Sequence, residues 1–109
     1  MSKTMRTATL LAAALALCAG TAEASSDDAW AAFAQTVETK CLAAAKDMLD
    51  APRAVVDPFG SESYGLAIVT GTAKGTTTEV SHICVMNKQT EAAELGSELG
   101  ADRVAVPAE

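Results

Sequence analysis

Aromatic residues are scarce, with one tryptophan, one tyrosine and two phenylalanines among 109 residues. Cations are scarce too: 8 Lys+Arg stand against 14 Asp+Glu, for a net charge of −6. A nucleic-acid surface needs clustered cations to replace phosphate counterions, so nucleic-acid binding is excluded as an expectation. The same balance disfavours docking on an anionic lipid surface. Histidine occurs once, as His82, so any Ser–His or Cys–His catalytic pair has to include it. No internal repeat, low-complexity tract or N-x-[ST] sequon interrupts the chain. At this length one domain is expected.

What is present begins with an address. Lys3 and Arg6 precede an uncharged apolar stretch from Ala8 to Ala19, and Ala22-Glu23-Ala24 then supplies small residues at the −3 and −1 positions. That order reads as a secretory signal peptide over residues 1–24. The stretch is shorter than the ~20 apolar residues that span a bilayer, so no integral membrane segment is expected after cleavage. Cys18 follows Leu17, whereas a lipoprotein site needs a small residue there, so Cys18 is read as part of the leader. The expected destination is secretion, into the periplasm of a bacterium.

Loss of the leader removes Lys3, Arg6 and Glu23 and moves the net charge from −6 to −7. From Ser25 onward the chain holds 23 larger apolar side chains and 16 alanines, which is little material for a core. Domains near this size seldom draw more than a few kcal/mol from one core and often rely on a staple. Cys41 and Cys84 are the pair that remains. In an oxidising compartment a disulfide is expected of them. They lie too far apart for a C-x-x-C redox pair, and with one histidine they fall short of the roughly four ligands of a zinc site. No metal and no cofactor is expected.

Ser25-Ser26-Asp27-Asp28 suits a helix start, with capping side chains and carboxylates at the positive end of the dipole. Trp30, Phe33, Val37, Cys41 and Met48 then recur at helical spacing, with Ala34, Ala44 and Ala45 in the same stripe. Ala51-Pro52 is expected to stop this helix. Beyond it the period changes. Residues 54–57 read as a short strand, and 64–73 and 77–87 as a hairpin around Lys74-Gly75-Thr76. A further turn at 87–90 leads to a weak strand at 91–95, whose composition equally suits a short helix.

Alternation places Cys84 on one strand face with Val80, His82 and Met86. A bridge to the apolar stripe of the helix turns that face toward the helix. The expected fold is therefore α+β, one long N-terminal helix packed on a three- to four-stranded antiparallel β-meander with one disulfide. The domain is expected over residues 25–100, followed by a flexible C-terminal tail at 101–109. The other sheet face, with Ile83 and Val85, keeps apolar surface suited to a contact site or a homodimer.

Candidate chemistry is thin. Gly60 and Gly65 have phosphate-loop spacing, but Leu66 and Ala67 stand where Lys and Ser/Thr are required. Asp47/Asp50 and Glu94/Glu98 have helical spacing and read as solvated charge. His82 reads as a structural histidine at the edge of the core. The segment Phe59-Gly60-Ser61-Glu62-Ser63-Tyr64, a glycine/serine loop with an aromatic at each end, is the candidate binding loop. Together these features suggest a small exported, non-enzymatic, inhibitor-type or protein-binding module, whose acidity favours a cationic envelope protein as partner. A small hydrolase using His82 and a structural homodimer are the alternatives.

Overall fold

The computed structural model describes residues 26–108. The expected leader at 1–24 lies outside them. Helix α1 spans Ser26–Ala45 and is followed by strands β1 (Leu49–Val56), β2 (Tyr64–Ala73), β3 (Glu79–Asn87), β4 (Ala93–Leu95) and β5 (Leu99–Gly100). The sheet runs β1-β2-β3-β4, every pairing antiparallel, and β5 adds to β3 beyond the end of β4. One helix on an antiparallel meander is the α+β architecture expected from the sequence.

The helix buries Val37, Cys41 and Ala45 completely, a stripe with a step of four residues. Beneath it lie Ala67 and Val69 of β2 and Val80, His82, Cys84 and Met86 of β3, the alternate positions that one pleat directs to one side. Close approach depends on Gly65. A Cβ there would stand 2.5 Å from a Val37 methyl and 3.2 Å from the Phe33 ring. Cys41 and Cys84 are bridged across the two layers with their Cα atoms 6.0 Å apart. Closing that loop restricts the unfolded chain by about 4 kcal/mol on the chain-entropy model.

The helix ends earlier than the sequence suggests. Lys46–Met48 form a turn closed by the Met48 N–H donating to the Ala45 carbonyl at 2.9 Å, and β1 begins at Leu49. Met48 is consequently 43% exposed and lies off the buried stripe, while Leu49 is 2% exposed. Leu49 falls four residues after Ala45, so a continued helix and a tight turn both direct it inward. Periodicity cannot separate the two. Pro52 sits inside β1, at a bulge between Asp50 and Arg53, rather than stopping the helix. A bulged edge strand tolerates the missing N–H. Ala51 adopts φ 49° there, and Gly71 opposite has no side chain to strike the Asp50 carbonyl.

The weak segment after residue 90 forms a strand at Ala93–Leu95, resolving the strand-or-helix choice. Residues beyond β5 lead back to β1, where Arg53 Nη2 donates to the Val106 carbonyl at 2.7 Å and Nη1 pairs with Glu79 at 2.8 Å. The facing Thr70 and Ser81 hydroxyls share a buried hydrogen bond of 2.7 Å. Among the described residues no helix is long and apolar enough to cross a membrane.

Candidate functional site

The loop between β1 and β2 is built by short-range hydrogen bonds. Asp57 Oδ1 accepts from the N–H groups of Phe59 and Gly60, each at 3.0 Å. These two donors hold the Asp57 carboxyl below its ordinary value against an opposing desolvation, and the nearby Lys88 charge adds a lesser pull in the same downward direction. Gly60 takes φ 72°, and a Cβ there would collide with the Tyr64 carbonyl oxygen, so glycine is required. The Ser61 N–H donates to that same carbonyl at 2.8 Å, and the Tyr64 N–H donates to Ser61 Oγ at 3.1 Å. Glu62 and Ser63 are exposed at the tip.

Lys88, from the turn after β3, fastens this loop from outside. Its Nζ donates to the carbonyls of Ser61 at 2.6 Å and Phe59 at 3.1 Å, while its N–H donates to the Ser63 carbonyl at 3.0 Å. The same ammonium lies 5.7 Å from the Trp30 ring centroid and 5.1 Å from that of Phe33. Trp30 in turn meets Phe59 edge-on at 5.1 Å and Phe33 at 5.7 Å. Three rings and one cation thus weld the loop to the first turns of α1. The expected binding loop is a braced element whose polar groups are largely committed to itself.

Its two aromatics diverge. Phe59 turns toward the helix and Trp30. Tyr64 opens β2 and, by alternation, shares a face with Leu66 and Ile68, away from Gly65, Ala67 and Val69. This outer sheet face is the feature the sequence reading caught only in part, through Ile83 and Val85. Registration completes it: Val55, Ile68 and Ile83 stand side by side across three strands, and Leu66 and Val85 form the adjoining row with Glu94. Val55 is 49% and Ile83 51% exposed. Two shallow hollows meet at Ile83, one bounded by Val55, Asp57, Leu66 and Ile68, the other by Val85, Glu94 and Leu99. The sequence signal for this face was the parity of β2 counted from Tyr64.

His82 is 3% exposed on the opposite, helix-covered face, and its Nδ1–H donates to the Gly96 carbonyl at 2.8 Å. That bond holds the chain after β4 against β3. The carboxylate pairs read at helical spacing are not on helices. Asp47 lies in the turn after α1, Asp50 lies in β1 beside Lys74 at 3.3 Å, and Glu94 lies in β4. Among the described residues no three His, Cys, Asp or Glu side chains converge as metal ligands. No protein-family model, no curated protein and no solved structure matches the chain.

Proposed function

We propose that this chain is the precursor of a small exported, non-enzymatic domain that binds a protein in the bacterial envelope, as an inhibitor-type module does. The observation that carries the reading is the outer sheet face. A domain with few large apolar side chains leaves Val55 and Ile83 half exposed on the sheet while helix α1 covers the other side. Contiguous apolar surface of this kind is a feature of interaction sites. The N-terminal pattern and the buried disulfide support export. The burial of His82 and its bond to a backbone carbonyl support a structural role for the one histidine.

The test is site-specific photo-cross-linking in cells expressing the full chain. A photoreactive residue at position 83 is expected to give a discrete adduct with one protein. The same residue at Gln35, exposed on the far side of α1, is expected to give none. Equal labelling from both positions, or none from position 83, refutes the proposal.

A further inference from the structure

Resting on that protein-binding reading, we infer that the outer sheet face receives a polypeptide segment with an apolar centre and lysine or arginine at its flanks. The apolar ground is laid by Val55, Leu66, Ile68, Ile83 and Val85. Asp57 borders the first of the two hollows meeting at Ile83, with its Oδ1 already taken by the Phe59 and Gly60 N–H groups, Glu94 borders the second, and no cationic side chain lines either. Glu94 is exposed and makes no ion pair among the described residues. The cations of neighbouring segments are already engaged. Arg53 is held by Glu79 and the Val106 carbonyl, Lys74 by Asp50, and Lys88 by the carbonyls of Phe59 and Ser61. An occupant that supplies its own cations completes the charge pattern.

Other occupants fit less well. A second copy docked face to face about a two-fold axis brings carboxylates of one protomer toward those of the other, in a chain already net negative. Strand addition at the sheet edge is opposed on one side by the bulge at Ala51–Pro52 and on the other by the three-residue length of β4. The face is the accessible surface, and its two carboxylates lie on either side of Ile83.

The probe is a pair of synthetic peptides with the same valine, leucine and isoleucine centre, one ending in lysines and the other in glutamates. Titrated calorimetrically into the purified protein, the lysine-ended peptide is expected to bind at least about tenfold more tightly. Ile83→Ser is expected to weaken it by about tenfold. Glu94→Gln is expected to weaken it less and to flatten its salt dependence. Both side chains are exposed, so unfolding curves of the variants should match the parent and exclude loss of fold as the cause. Equal binding of the two peptides, or indifference to Ile83→Ser, overturns the inference. So does self-association of the parent that Ile83→Ser abolishes, because a second copy is then the occupant. Failure of the peptides with the position-83 adduct still formed sinks the charge argument alone. Failure of both sinks the protein-binding reading with it.

Discussion

Replacing Gly65 by alanine tests the account of how the helix reaches the sheet. The added Cβ would sit 2.5 Å from Val37 Cγ2 and 3.2 Å from Phe33 Cζ, and Val37 is fully buried, so a side chain with one stiff χ1 has to shift within the core. Overpacking of a well-filled core costs about 1–3 kcal/mol. Alanine also narrows the unfolded ensemble, which offsets about 0.4–1 kcal/mol at a position that glycine does not need for its backbone angle. Gly65 is outside the positive-φ glycines, which are Gly60 and Gly75. The net expectation is a loss of about 1–2 kcal/mol. Trp30, the only tryptophan, packs against Phe33 and Phe59, so its fluorescence reports unfolding in urea. Val37→Ala alone should cost about 2 kcal/mol, since it removes two buried methyl groups. In the double variant the new methyl occupies the space vacated by Val37, so the two losses should fall short of their sum by about 1 kcal/mol. A Gly65→Ala protein as stable as the parent, or losses that simply add, would refute the contact.

Two further outcomes follow from the bridge and the loop. Paired Cys41→Ser and Cys84→Ser substitutions should lower stability by about 4 kcal/mol, the loop-closure contribution, and urea unfolding would measure it. Against a small core that loss should leave a substantial unfolded population in buffer. Asp57 holds the loop more strongly when ionised, because its oxygen accepts from two N–H groups. Its folded carboxyl is held below the unfolded value, so the contribution is present above the unfolded value and fades as pH falls through the lower folded one. The amide NMR signals of Phe59 and Gly60 should follow that titration, and Asp57→Asn, which keeps an accepting oxygen, should remove it.

Much of this fold was legible because its signals are local. The i, i+4 run through Val37 and Cys41 survives in α1 as read, and alternation correctly put Val80, His82, Cys84 and Met86 on the helix side of β3. The β2–β3 hairpin followed from β-branched runs on either side of Gly75. The helix end was misread for an equally physical reason. Leu49 is directed inward both by a continuing helix and by a turn, and only packing against the strand beneath chooses between them. Ala51-Pro52 reads as a stop because the residue before a proline disfavours the α region, yet the pair is equally suited to a bulged edge strand. The candidate loop was located correctly as a segment. Its internal bonding and the opposite courses of Phe59 and Tyr64 depend on Lys88 and Trp30, which are remote in sequence.

Composition and pattern alone determined the acidic balance, the helix, the hairpin and the two cysteines placed to join them, because each depends on neighbours a few residues away or on simple counting. Tertiary structure alone decided which apolar residues stay outside. Val55, Ile68 and Ile83 come from three strands and meet only through registration, a relation set by pairing across the sheet rather than by spacing along the chain. The same registration sets Glu94 beside Val85 at the border of that apolar face, a neighbour that spacing along the chain does not give.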